Sequence, residues 1–379
     1  MDEATLIKEW LLGSGIQNRS GEPEAHGGFH SWYDLTTRRY PWIYSEATGY
    51  GITALLFLHE RAPDPVLLER ARLAADWIVR VALAPEGGVK ARYYLQTTDD
   101  RYAFETGSLV AFDTGIVLFG LSQLYAVTGE AAYLRAGKAT AGLLLRLQKP
   151  DGSLPADYDS RRGAPNADGA RWSTQSGAFH AKVAMGLLAL HRHTRDPALL
   201  AAARALCDHV VRSQQPDGRF VTTAQDGSTL QHPHCYAAEG LLWCGRELSV
   251  ERYLAAAGRA VEWSLATQLP GGGIPQLVYG PAGVVIGHER SDILAQVLRL
   301  GACLQLAGAA RARLERLRHR LLCFQVRDGE QRGGIEFGSD WDGTSHAHVN
   351  SWCSMFALQA LTFHEQACRG EAPSLRHLV

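Results

Sequence analysis

The feature that most limits what this chain of 379 residues can fold into is an internal repeat. Residues 128–153 match residues 194–219, with Glu130 on Asp196, Leu134 on Leu200, Gln148 on Gln214, and Pro150-Asp151-Gly152 on Pro216-Asp217-Gly218. The same offset carries Thr48-Gly49 onto Thr114-Gly115. Shorter matches lead from VAMGLL at 183–188 to AAEGLL at 237–242, AQVLRL at 295–300 and SWCSMF at 351–356. A self-similar chain with periods of this size is built from stacked copies of one supersecondary unit.

Each repeat has the same grammar. An apolar helix rich in small residues comes first, as in TGYGITALLFLHE, and lacks a polar face, so it is expected to be buried on most sides. A short turn follows, then an amphipathic helix that opens on Asp or Glu, sometimes with Pro at its first position. A Gly-rich stop closes the repeat: EGGV, PDGS, PDGR, PGGG, then Gly333-Gly334. First-type helices are expected to start near residues 46, 112, 178, 232, 290 and 346. Six buried inner helices alternating with six amphipathic outer ones predict an all-α, single-domain (α/α)6 toroid. An open solenoid is the alternative, but its last repeat needs a polar cap, which helix 348–363 lacks. The helix around residues 5–12 then serves as the sixth outer helix. The expected organisation is an N-terminal helix and lead-in over 1–40, the toroid over 41–367 and a tail over 368–379.

Lys plus Arg is 38 and Asp plus Glu is 39, a net charge of −1. That balance excludes the electrostatic footprint of a nucleic-acid binder or a polybasic membrane patch. Hydrophobic residues at 46% against charged residues at 20% exclude disorder. No window approaches the roughly 18 consecutive apolar residues of a membrane span. Acidic residues stand where a signal peptide carries basic ones, and the seven cysteines contain no C-x-x-C pair. A reducing cytoplasm is the expectation.

The repeat alignment places Thr48, Thr114, His180, His234, Asp292 and His348 at one position near the inner-helix N-termini. Two residues earlier come Glu46, Phe112, Ala178, His232, Arg290 and His346; two later come Tyr50, Ile116, Lys182, Tyr236, Leu294 and Asn350. Polar groups recurring at the mouths of apolar helices, where N–H groups and dipoles favour anions, mark the candidate site. Thr48 and Thr114 are equally explained as helix caps. The candidate catalytic residues are Asp113, Glu46, His180, His234 and Tyr236. The candidate substrate-binding residues are Tyr44, Tyr50, Arg92, Tyr94, Trp172, Lys182, His232, Asp292, His346, His348 and Trp352. Arg beside Tyr and Trp offers a uronic acid a charged fork and aromatic faces. At i, i+2 on a helix the pairs His232-x-His234 and His346-x-His348 diverge, and no H-E-x-x-H occurs, so neither a catalytic metal nor a cofactor is expected.

Three segments carry a resemblance: Ser45-Glu46-Ala47-Thr48-Gly49-Tyr50, Phe112-Asp113-Thr114-Gly115 and Ser291-Asp292-Ile293-Leu294-Ala295-Gln296. On these the chain resembles the six-hairpin glycosidase-like (α/α)6 enzymes, closest to bacterial proteins of polysaccharide clusters. It is more distantly similar to unsaturated glucuronyl hydrolases and uronate epimerases. The likeness to the hydrolases implies Glu46 and Asp113 as an acidic pair, one residue out of step in the repeat register. Three readings stay open: a glycoside hydrolase of uronic-acid-containing or related oligo- or polysaccharides, with Asp113 as general acid/base and Glu46 as its partner; an epimerase or lyase that removes the proton alpha to a sugar carboxylate with His or Tyr236; and a non-catalytic glycan-binding toroid.

Overall fold

The structure, a computed structural model, describes residues 2–96, 98, 100–280 and 283–379. The elements run α1 (Glu3–Gly13), β1 (Trp32–Asp34), β2 (Trp42–Tyr44), α2 (Ser45–Arg61), α3 (Pro65–Trp77), β3 (Arg92–Tyr94), β4 (Ser108–Val110), α4 (Ala111–Thr128) and α5 (Ala131–Leu147). Next come β5 (Asp157–Asp159), β6 (Ala164–Pro165), α6 (Val183–Thr194), α7 (Pro197–Ser213), β7 (Thr229–Leu230), α8 (Gln231–Leu248) and α9 (Glu251–Ala266). The last are β8 (Leu277–Tyr279), β9 (Val284–Ile286), α10 (Ser291–Cys303), α11 (Ala309–Leu322), β10 (Glu336–Ser339), β11 (Ser345–Asn350) and α12 (Ser351–Cys368). Two compact units share them. One comprises residues 1–16, 32–39 and 213–375; the other comprises 17–31, 40–212 and 376–379.

The even-numbered helices are the apolar inner type. In α4, every residue from Ala111 to Leu124 is buried, as a helix without a polar face must be. Among the described residues α4 is also the one helix long and apolar enough to cross a membrane, and most of it is buried in the protein. Each fully buried Leu, Ile or Phe contributes about 1.5–3 kcal/mol, so such helices are held by burial and not by propensity. Glycines set their spacing: a Cβ on Gly115 would meet Val183 at 2.7 Å, and one on Gly186 would meet the Gly115 carbonyl at 2.7 Å. The outer helices α3 and α7 start on side-chain caps, with Asp64 accepting from Val66 N–H ahead of Pro65, and Asp196 from Ala198 N–H ahead of Pro197.

The repeat survives as one bond pattern in both units. Gly27, Gly87, Gly152, Gly218, Gly272 and Gly333 have φ between +91 and +103. A Cβ on each would sit 2.2–2.9 Å from a carbonyl oxygen of an outer helix: Leu73, Ala139, Ala205, Arg259, Arg316 and Leu6 respectively. Only glycine tolerates both the conformation and the approach. A glutamine clamps five of these turns. Gln148 donates to the carbonyls of Gly152 and Ala202, and Gln17, Gln214, Gln268 and Gln325 do the same at their turns. The contact of Gly333 with Leu6 makes α1 the sixth outer helix, and α1 packs on α12.

Among the described residues, four small antiparallel sheets bring strands to the inner-helix N-termini, in the orders β1-β11-β10, β2-β3, β4-β5-β6 and β7-β8-β9. The strands β2, β4, β7 and β11 run directly into α2, α4, α8 and α12. Two expected helix starts move. Residues 178–182 form a 3-10 turn ahead of α6, and 345–350 form β11, so α12 begins five residues after the expected 346.

Candidate functional site

Helix positions counted from these true starts sort the repeat residues into two kinds. The fourth residue of α2, α4, α8 and α12 is Thr48, Thr114, His234 and Ser354. Each accepts a buried backbone N–H from the strand after a glycine turn, of Phe29, Val89, Phe220 and Ile335 respectively. His234 is therefore a brace. Its Nδ1 accepts from Phe220 and its Nε2 donates to the Ala260 carbonyl at 3.0 Å, so neither nitrogen is left to move a substrate proton. The second residue of α2, α4, α8, α10 and α12 is Glu46, Phe112, His232, Asp292 and Trp352. Asp292 thus belongs with Glu46 and His232, two residues out from its expected register, and His348 precedes its helix altogether.

In the unit of residues 17–31, 40–212 and 376–379, the cluster is acidic and aromatic. Pairing of β2 with β3 sets Tyr44 opposite Arg92 and Trp42 opposite Tyr94. The Arg92 guanidinium lies 4.8 Å from the Trp42 ring centre, 5.7 Å from Tyr44 and 4.7 Å from Tyr102, and pairs with Asp100 at 3.1 Å. Asp113, the third residue of α4, is buried, and its Oδ2 has no hydrogen-bond partner. Burial pushes its carboxyl well above the usual range; the negative charge of Glu46 adds to the rise and Arg92 opposes it. Tyr44 is likewise pushed up, by burial and then by the charges of Asp113 and Glu46. This pattern, one carboxyl group held protonated beside a second, is how a fold makes a general acid.

The rest of this unit's candidates form a wall and a buried contact. Phe112 lies tilted against Phe179 at 5.5 Å, and Phe179 meets Trp172 at 5.3 Å and His180 at 4.1 Å. His180 is buried with Nε2 unpartnered, and burial lowers its pKa to about 3, so the ring is neutral. Lys182, expected to meet substrate, is 1% exposed; its Nζ lies 4.7 Å over the buried Tyr50 ring and donates to the Val379 oxygen at 3.0 Å. Tyr50 and Lys182 are interior packing here; Lys182 lies in the 3-10 turn ahead of α6, which begins five residues later than expected.

In the unit of residues 1–16, 32–39 and 213–375, the cluster is built on imidazole. His232 Nδ1 lies 2.9 Å from Gln296 Oε1 and 3.2 Å from Asp292 Oδ2. Two acceptors facing Nδ1 fix the proton there and make Nε2 the basic nitrogen. Burial lowers this histidine to about 4, despite Asp292, so it is neutral at pH 7. Asp292 is fully buried; burial alone would raise it, but Arg290, His232 and the Trp352 indole hold it below the ordinary range. Arg290 grips it through two nitrogens. Tyr236 stands edge-on to His232 at 4.4 Å and is buried. On a strand, residues i and i+2 share a face, so His346 and His348 converge on β11 instead of diverging, with ring centres 5.4 Å apart. Trp32 stacks on His348 at 4.5 Å, Phe337 lies 5.0 Å away, and Trp352 meets Trp32 at 6.3 Å. His346 is tied to Asp340 at 2.7 Å.

No protein-family model matches the sequence, and no curated relative is significantly similar to it. Solved structures are. The cellobiose 2-epimerase of Bacillus thermoamylovorans B4167 superimposes with a TM-score of 0.75 at 11% identity, over 94% of this chain and 98% of that one. A sugar epimerase from a ruminal bacterium gives 0.76 at 11% identity, over 97% and 99%. An unsaturated glucuronyl hydrolase specific for heparin gives 0.66 at 12% identity, over 97% and 99%.

The fold is the six-hairpin (α/α)6 toroid.

Within the toroid, the sequence missed Trp32, Trp42, Tyr102, Gln296 and Phe337, and it passed over Arg290. Trp32, Trp42, Tyr102 and Phe337 come from strands and turns outside the inner-helix register, so the repeat carried no signal for them. Gln296 was quoted within a motif, but its turn toward His232 depends on helix rotation.

Proposed function

We propose that the protein is a carbohydrate-active enzyme that hydrolyses a glycosidic bond in a uronic-acid-containing or related oligosaccharide. The observation that carries this reading is Asp113: buried, raised further by the charge of Glu46, and holding one carboxyl oxygen free of partners. As the glycosidic C–O bond breaks, Asp113 gives its proton to the leaving oxygen, while a water molecule forms the new C–O bond at the sugar carbon and gives a proton to Glu46, the second carboxylate. Arg92 has a buried Nε without a hydrogen-bond partner, an edge suited to a sugar carboxylate, between the rings of Trp42, Tyr44 and Tyr102. His180 offers a neutral Nε2 to a hydroxyl. The likeness in fold to an unsaturated glucuronyl hydrolase supports the substrate class.

A second reading, epimerisation, is favoured by the neutral His232 whose Nδ1 is fixed by Gln296 and Asp292, beside Trp32, Trp352 and His348. Such a base can remove a carbon-bound proton, and fold neighbours include epimerases acting on sugars. One experiment separates the two. A panel of saturated and unsaturated uronyl and neutral oligosaccharides is incubated in deuterated water, and both new reducing ends and carbon-bound deuterium are followed. Hydrolysis predicts new reducing ends that require Asp113, with no deuterium in recovered substrate. Deuterated epimer formed in Asp113→Asn but not in His232→Gln overturns the hydrolase reading. Binding without either product makes the protein a glycan-binding toroid.

A further inference from the structure

Near the C-terminal end of α12, four residues separate His364 from Cys368, the spacing that sets two side chains on one helix face. Glu315 of α11 completes a trio. Its Oε2 lies 3.2 Å from His364 Nε2, and Cys368 Sγ lies 3.9 Å from both nitrogens of that ring. One ligand atom from each of the three lies within 4.8 Å of the others. His364 is buried, whereas Cys368 and the Glu315 side chain reach solvent. A cavity of about 220 Å³ opens beside His364 and Cys368, with Leu306 and Arg311 on its walls. None of these residues belongs to the clusters described above. Trp352 lies on the same helix, but 16 residues back (368 − 352), roughly 24 Å along the axis.

We propose that Glu315, His364 and Cys368 form a zinc site that staples α12 to α11. Thiolate, imidazole and carboxylate are the ligands Zn²⁺ takes, and three protein ligands leave the fourth tetrahedral position to water from the cavity. With ligand bonds of about 2.0–2.3 Å, tetrahedral edges are roughly 3.3–3.7 Å. The observed 3.2 and 3.9 Å lie within a few tenths of these edges, and the third edge, from Glu315 to Cys368, is within 4.8 Å and closes as the exposed Cys368 and Glu315 side chains turn inward. Binding breaks the Cys368 S–H bond and releases its proton to solvent, while His364 enters as the neutral ring. The filled site is electrically neutral, since one thiolate and one carboxylate balance the dication. Arg311, Arg318 and His319, whose charges reach His364, then face no excess positive charge. Glu315 is also 3.8 Å from His319, which keeps its carboxylate oriented over the gap.

The test uses the full-length protein stripped with a chelator. Zn²⁺ is titrated against a chromophoric competitor, and Co²⁺ is added alone as a spectroscopic stand-in. One equivalent of Co²⁺ is expected to give a thiolate charge-transfer band in the near ultraviolet, and one equivalent of Zn²⁺ to raise the melting temperature. Cys368→Ser removes the band, and both it and His364→Gln weaken binding beyond the roughly 10–100-fold that loss of a supporting partner costs. Cys323→Ser, at the other exposed cysteine, leaves everything unchanged. Cys368 is exposed, so its serine variant folds, which circular dichroism checks. The proposal is overturned by absence of the band in the wild type, or by a band that persists in Cys368→Ser.

Discussion

Replacing Asp113 with Asn separates its chemical role from its structural one, because the two roles predict opposite signs. The folded protein holds the Asp113 carboxyl well above its ordinary range, through burial and the neighbouring Glu46, whereas the unfolded chain titrates near ~3.9. Over the window between those two values the native state binds more protons than the unfolded state. Stability conferred by this site therefore falls as pH rises, by about 1.4 kcal/mol per pH unit, until the native carboxyl itself ionises. Asn has the same shape, needs no proton and removes that penalty. Urea denaturation at several pH values should therefore show Asp113→Asn gaining on the wild type from about pH 4 upward, at close to that slope, before levelling off. In the same variant, turnover should fall by roughly 10²–10⁴-fold, the usual contribution of a general acid. Parallel stability curves for the two proteins would show that the carboxyl is not held protonated, and the mechanistic argument would fail with them. Full turnover in the variant would remove Asp113 from the reaction whatever the stability data said.

Glu46→Gln removes the charge that adds to the rise in Asp113, so the basic limb of the activity profile should move to lower pH in rate measurements; an unmoved limb means the two groups do not interact. His234→Ala leaves the Phe220 N–H and the Ala260 carbonyl buried without partners, costing about 1–3 kcal/mol by chemical denaturation while turnover per folded molecule stays unchanged. Glu239→Gln strips the carboxylate from Arg299, both fully buried, and should cost about 3–5 kcal/mol in the same assay. Gly333→Ala forces a Cβ to 2.2 Å from the Leu6 carbonyl at φ +94, and should lower the melting temperature and expose α1 to protease; an unaffected α1 would deny its place as the sixth outer helix.

The sequence by itself determined the hairpin count, the inner and outer helix types and the glycine stops. All of these rest on local physics: the 3.6-residue period, cap residues, and a left-handed turn that only glycine enters. Only the tertiary structure decided which polar residues work together. The expected alignment of Thr48, Thr114, His180, His234, Asp292 and His348 joined structural braces to site residues, because two inner helices start later than the letters imply. Residues 345–350 form a strand whose last three residues, His348–Asn350, pair with Trp32–Asp34, and that choice depends on a partner far away in sequence. It turns His346 and His348 to one face and brings Trp32 onto His348. A one-residue shift in a helix start rotates a side chain by about 100°, so register errors too small to disturb the repeat are enough to move a histidine from a site to a wall. The pairing of His232 with Asp292 and Gln296, and of Asp113 with Glu46, follows from helix rotation and close glycine packing, which no single stretch of sequence contains.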